Sequence, residues 1–176
     1  VYNLKRVADN NNFYANSFLA HNRFVPPGGP CCFAAGTQIK MEDGTTKNIE
    51  DVVIGDRVVG WDGEEMVSDV IDINHKDTVS SHADACKSLG DEPSLYTINE
   101  TGIEFTPEHP FLTKQGWKAL KPDVEEFSIL EPGDEINCCG EWKAISSIDV
   151  IDSKPDQRVF NFTVKEYQKL TGLEIL

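Results

Sequence analysis

The 176-residue chain is short of several things. It contains no run of about 18 apolar residues, so no membrane-spanning helix is expected. It is poor in positive charge: 16 Lys and Arg stand against 30 Asp and Glu, a formal net charge of −14. Such a surface repels phosphates, which disfavours general DNA or RNA binding; the acidity reads as solubility. It also lacks a disulfide framework. The five Cys lie as Cys31-Cys32, a lone Cys86 and Cys138-Cys139, and adjacent cysteines are poor partners for each other. A reducing compartment, the cytoplasm, is the expectation. The charged and Asn-rich first stretch does not resemble a signal peptide. The length suits one domain with a real core.

Helical periodicity is scarce as well, and strand signals dominate. "TQIKMEDGTTKNI" reads as two extended runs around an Asp43-Gly44 turn, and "DRVVGWDGEEMVSDVIDINH" repeats the pattern around Asp62-Gly63. "SLYTINETGIEFT", "AISSIDVIDS" and "RVFNFTV" add further β-branched and aromatic runs bounded by turn residues. "IEDVVIGD" has room for one helical turn, and Lys118–Ile129 is the other weak helix candidate. Many short strands separated by turns predict an all-β domain. Residues 78–93 are polar and irregular, as in an insertion loop. "RFVPPGGP" (Arg23–Pro30) is a linker by composition. "VYNLKRV" near the start is similar to "VFNFTV" near the end, a repeat open to chance because the pattern is common in strands.

Three longer stretches are similar to known blocks. "CCFAAGTQIKMEDGTTKNIEDVVIGDRVVGWD" resembles the opening block of inteins and other Hint (Hedgehog/intein) domains. "TPEHPFLTKQGWKAL" resembles their second block, built around Thr-x-x-His, and "VYNLKRVADNNNFYANSFLAHN" resembles their closing blocks, which end in His-Asn. Each is modest alone; a strand-start Cys is commonly just a small buried hydrophobe, and His-Asn before Pro and Gly is often turn chemistry. Their conjunction is specific. The resemblance implies a flattened, pseudo-twofold β-horseshoe and an autoprocessing activity with catalytic residues Cys32, Thr106, His109, His21 and Asn22.

The implied chemistry suits these residue types. The Cys32 thiol can attack the carbonyl before it through a five-membered ring and turn the Cys31–Cys32 amide into a thioester. Intramolecular attack can remove roughly 7–11 kcal/mol from a barrier. The amide nitrogen must be protonated as it leaves, and an imidazole is the natural donor, the role of His109. The Thr106 hydroxyl would hold the carbonyl oxygen or fix that imidazole. Asn22 can close its side-chain amide on its own carbonyl, cutting Asn22–Arg23, with His21 polarising the carbonyl or protonating the amine. Cys31 is the rival nucleophile, but the Phe-x-x-Gly-Thr spacing selects Cys32. No cofactor and no metal are needed. His75, His82 and Cys86 offer ligand atoms in a spacing that fits no common zinc motif and read as part of a solvated loop. Asp123–Glu126 reads as a solvated face.

Three departures from the family pattern bear on the outcome. Arg23 follows the His-Asn where splicing inteins place Cys, Ser or Thr, so transfer of the acyl group is in doubt and cleavage is favoured. Asn11 stands where a His often precedes Asn-Phe, and Asn3 where Asp is common. The order is also inverted, with the His-Asn end before the Cys end. One arrangement is circular permutation: residues 1–22 supply the closing strands, 23–31 a linker or extein-like peptide, and 32–176 the main body. The nine residues Arg23–Cys31 span up to about 30 Å when extended, enough to bridge neighbouring junctions. Another is a tandem array or a strand-swapped dimer, with "RVFNFTVKEYQKL" in the closing-strand position again and no second His-Asn before Leu176. A third is a catalytically inert Hint module of a larger phage or bacterial protein. The expected partners are the chain's own flanking segments, with neither nucleic acid nor membrane.

Overall fold

The computed structural model describes residues 11–21, 32–63, 66–78, 94–122 and 125–164. Among them the chain forms short strands and one 3₁₀ turn, Ile49–Asp51, and no α-helix. The first hairpin pairs β1 (Asn12–Ala15) with β2 (Phe18–His21), from Asn12 opposite His21 to Ala15 opposite Phe18. Its two turn residues, Asn16 and Ser17, have φ of 44° and 72°, the left-handed pair that a two-residue hairpin needs to match strand twist. Asn tolerates that conformation. Its Oδ1 also accepts the Gln38 N–H at 2.7 Å, and its own N–H donates to the Gln38 carbonyl at 2.8 Å.

β3 (Phe33–Ala34) is followed by the hairpin of β4 (Gln38–Lys40) and β5 (Thr46–Asn48). Its turn is the expected Asp43-Gly44: Gly44 has φ +85°, and Asp43 Oδ1 accepts the N–H and hydroxyl of Thr45. β6 (Arg57–Trp61) pairs with the first part of β7 (Met66–Thr78), again as expected. The far part of β7 pairs with β15 (Arg158–Val164), so one long strand links two neighbours along its length. The remaining strands are β8 (Leu95–Ile98), β9 (Phe111–Thr113), β10 (Gly116–Ala119), β11 (Ser128–Ile129), β12 (Glu135–Cys138), β13 (Glu141–Ala144) and β14 (Ile148–Ile151).

The largest sheet runs β11-β10-β9-β12-β2-β1-β4-β5, with β13 beside β12 and β2 also touching β9. The N-terminal hairpin is therefore interior to the sheet, with β4 and β5 on one side and strands from the second half of the chain on the other. Alternation along it feeds two cores. Phe13, Ala15, Phe18 and Ala20 enter the main core with Phe33, Phe105, Phe111 and Phe162, while Tyr14 and Leu19 pack on the other side with Leu112. Phe13 lies 4.1 Å from Phe162, ring to ring, and is fully buried. Such a side chain contributes about 1.5–3 kcal/mol on burial.

The all-β expectation holds, and Ile49–Asp51 supplies the one turn expected in "IEDVVIGD". The helix candidate Lys118–Ile129 is wrong. Lys118 and Ala119 end β10, Ser128 and Ile129 form β11, and the two strands pair in parallel. Edge pairing against β10 overrode a weak helical pattern. Residues 1–10, 22–31 and 79–93, with the repeat at Val1–Val7, the linker and most of the insertion loop, lie outside the described residues, as do His82 and Cys86; of His75 only the backbone is described.

Candidate active site

Cys32 immediately precedes β3, the edge strand of the four-stranded sheet β3-β15-β7-β6. Phe33 bridges to Phe105, and the Ala34 N–H donates to the Glu104 carbonyl at 2.9 Å, so residues 32–34 run antiparallel to 104–106. The ladder closes on an unusual pair. Thr106 N–H donates to the Cys32 carbonyl at 2.9 Å, and the Cys32 N–H donates to the Thr106 hydroxyl at 3.0 Å. The Thr106 hydroxyl thus holds the nitrogen of the Cys31–Cys32 bond; the sequence alone had suggested a carbonyl or an imidazole for it. Cys32 is fully buried beside Ala34, Leu95 and Val159.

From Thr106 the chain turns sharply. The His109 N–H donates to the Thr106 carbonyl at 3.0 Å, closing a four-residue turn with Pro107 at its second position, where proline's fixed φ is favoured. Pro107 in turn accepts the Lys121 N–H at 2.8 Å. The turn delivers the His109 imidazole into the core, fully buried, 4.0 Å from the Phe33 ring and 5.6 Å from Phe111. The next carbonyl, that of Pro110, accepts the N–H of His21 at 3.0 Å, and Phe111 lies opposite Ala20. One segment, Thr106–Phe111, thereby touches both stretches that carry the candidate junctions.

The His21 ring points elsewhere. It is half-buried at the end of β2, edge-on to Trp117 at 4.9 Å and 86°, and 5.7 Å from Phe127. Strand alternation accounts for this. Leu19 and His21 share a face with Leu112 and its cross-strand partner Trp117, opposite to the face of Ala20 and Phe111. The structure therefore brings Cys32, Thr106, His109 and the His21 backbone together, with the two imidazoles in separate aromatic surroundings. Asn22, Cys31 and Arg23 lie outside the described residues.

Other residues were not singled out by the sequence. Glu108, between the two halves of the Thr-x-x-His motif, is a buried carboxylate. Asn12 is fully buried and pairs both amide atoms with the Trp61 backbone: Nδ2 donates to the carbonyl at 2.8 Å, and Oδ1 accepts the N–H at 2.7 Å. It anchors the hairpin that carries His21. Neither role has a sequence signal beyond residue type. Cys138 is also a buried thiol, and burial pushes its titration up, which keeps it protonated and unreactive.

Residues 32–90 match the sequence model of a family described as Hom_end-associated Hint. A 32-residue stretch is 53% identical to a catalytic subunit of the V-type proton ATPase from Candida tropicalis, covering 18% of this chain and 3% of that protein. The fold is similar to a bacterial intein-like domain from Clostridium thermocellum, with a TM-score of 0.57, 20% identity, and coverage of 77% of this chain and 87% of that one. It is also similar to a variant of the Ssp DnaB mini-intein, with a TM-score of 0.55, 18% identity, and coverage of 80% and 87%. The all-β architecture thus has the Hint-type fold of these two intein structures, and residues 32–90 carry the similarity to the Hint family model.

Proposed function

We propose that this chain is an autoprocessing domain that cuts its own backbone at Cys31–Cys32 and at Asn22–Arg23. At the first junction Cys32 Sγ attacks the carbonyl carbon of Cys31. The carbon–nitrogen bond breaks, the thiol proton is lost, and the nitrogen leaves as the protonated α-amine of Cys32. A thioester results. His109 donates the proton to that nitrogen, and the Thr106 hydroxyl fixes the nitrogen's position through the transfer. At the second junction Asn22 Nδ2 attacks its own backbone carbonyl. Succinimide forms, the Asn22–Arg23 bond breaks, and the Arg23 amine leaves with a proton that His21 supplies. Arg23 offers no hydroxyl or thiol to accept an acyl group, so the outcome is cleavage. An external thiol or water attacks the thioester carbonyl, the Cys32 thiol leaves with the proton, and Arg23–Cys31 is released as a thioester or acid. Attack of the Arg23 amine on the thioester would instead close a nine-residue ring.

The observation that carries this reading is the reciprocal hydrogen bonding of Cys32 with Thr106, one turn from His109. The interior position of residues 12–21 in the main sheet supports the permuted arrangement, with Val1–Asn22 as closing strands. Incubation with a small thiol followed by mass spectrometry tests the reading. Expected fragments end at Asn22 and begin at Cys32; C32A retains the Cys31–Cys32 bond and N22A retains Asn22–Arg23. An intact mass after incubation would refute it.

A second reading, the tandem array, draws on β15. "RVFNFTV" already pairs with β7 and with β3 beside Cys32, so Val1–Val7 repeats a strand that is in place. In that arrangement the hairpin of residues 12–21 completes a neighbouring domain. Mixing isotopically light and heavy protein, cross-linking, and weighing the products separates the two: links between residues 12–21 and the main sheet that join light to heavy chains favour the array.

A further inference from the structure

We propose that Trp117 and Phe127 form an aromatic slot that sets the orientation of the His21 imidazole, making them positioning residues for the Asn22–Arg23 step; this rests on the cleavage reading above. His21 reaches the site at the end of β2, and its backbone is fixed by the Pro110 carbonyl at 3.0 Å. That bond sets where the residue lies but does not by itself set the side-chain torsions. Two rings limit those torsions: Trp117 at 4.9 Å and 86°, and Phe127 at 5.7 Å and 62°. Both are edge-to-face separations within the favourable aromatic range. Both rings are only partly buried, and Trp117 packs against the Tyr14, Leu19 and Leu112 cluster, which anchors one wall of the slot beside His21. Trp117 sits on β10 opposite Leu112, and Phe127 precedes β11, which pairs with β10. The slot is thus built on two adjacent strands whose register keeps its walls together.

The consequence is a division of labour. His109 is oriented by Phe33 and Phe111 from the main core, and His21 by Trp117 and Phe127 from the opposite face. Loosening the slot misplaces one imidazole and leaves the other in register. An error of about 1 Å at a reacting group can cost 100-fold in rate.

Two experiments test this. Cleavage is followed separately at each junction in W117A, W117F and F127L, each checked for native melting. The expected result is Asn22–Arg23 cleavage slowed on the order of 10- to 100-fold in W117A, recovered largely by W117F, with thiol-dependent cleavage at Cys31–Cys32 unchanged. In an H21A background W117A should add no further slowing; an additional loss there, or an equal loss at both junctions, overturns the proposal. The second readout needs no cleavage. In the intact N22A chain, the His21 ring-carbon resonance of histidine-labelled protein should be displaced by ring currents and should move on W117A and on F127L, with the His109 resonance still. If the unmutated chain fails to cleave, the cleavage reading falls, and this spectrum alone decides the slot. A His21 resonance that ignores both substitutions overturns it.

Discussion

The two histidines of this domain are linked through Pro110, whose carbonyl accepts the His21 N–H, yet they are held in opposite ways. His109 is fully buried, delivered by a proline turn, and walled by Phe33 and Phe111 of the main core. His21 is half-buried, ends a strand, and leans on Trp117 and Phe127 of the other face. A ring fixed by the core moves only when the core moves, whereas a ring at a strand end is exposed to changes in its immediate neighbours. The lesson is that one segment, Thr106–Phe111, bonds through its backbone to both Cys32 and His21 while the two imidazoles keep separate side-chain surroundings.

Substitutions at the two sites should break this comparison unequally. C32A is expected to abolish the thioester at Cys31 altogether, and H109A to slow it about 100- to 10,000-fold, the range lost with a general acid. Quantitative mass spectrometry of both junctions should find Asn22–Arg23 cleavage preserved in each. H21A should give the mirror image, with a smaller loss of about 100-fold because a half-buried site lets water replace part of the proton donation. T106V sharpens the Cys32 side. It leaves the Cys32 N–H buried without its acceptor, costing about 1–3 kcal/mol in chemical denaturation, and slows thioester formation, while T106S restores both.

The smallest effect lies outside both junctions and serves as a control. Burial of Asp56 opposes its ionisation, but the Lys47 ammonium at 2.7 Å and the Val53 N–H outweigh it and hold the carboxyl below its ordinary value. A depressed carboxylate stabilises the fold above its unfolded titration near pH 4, and that contribution is lost as pH falls through the lower folded value. D56N should therefore cost about 0.2–1 kcal/mol at neutral pH, with the difference from the parent vanishing in acid. Cleavage at both junctions should be unchanged.

Much of this arrangement was legible in the residues. Asp43-Gly44 and Asp62-Gly63 announced their hairpins because few residues tolerate the positive φ those turns require. The Thr-x-x-His spacing is a turn with proline at its favoured position, so Thr106 and His109 were bound to lie close. Other features had no local signal. The Pro110 carbonyl that receives His21 is main chain, and any residue would supply it. Asn12 pairs with Trp61, 49 positions away, and nothing beside it in sequence marks that partner. Lys118–Ile129 misled because its helical pattern was weak and the deciding interaction, β10 against β11, joins residues ten apart. The Thr-x-x-His motif marks the hydroxyl of Thr106, but its choice of the Cys32 amide over a carbonyl depends on an antiparallel register across 74 positions.

In the proposed cleavage, separate imidazoles serve separate junctions. This division is tested most directly by following both cleavages in H109A and H21A under thiol, by time-resolved mass spectrometry of the same samples. H109A is expected to accumulate chain cut only at Asn22–Arg23, and H21A chain cut only at Cys31–Cys32. Loss of both cleavages in either variant, or of neither in both, would contradict it.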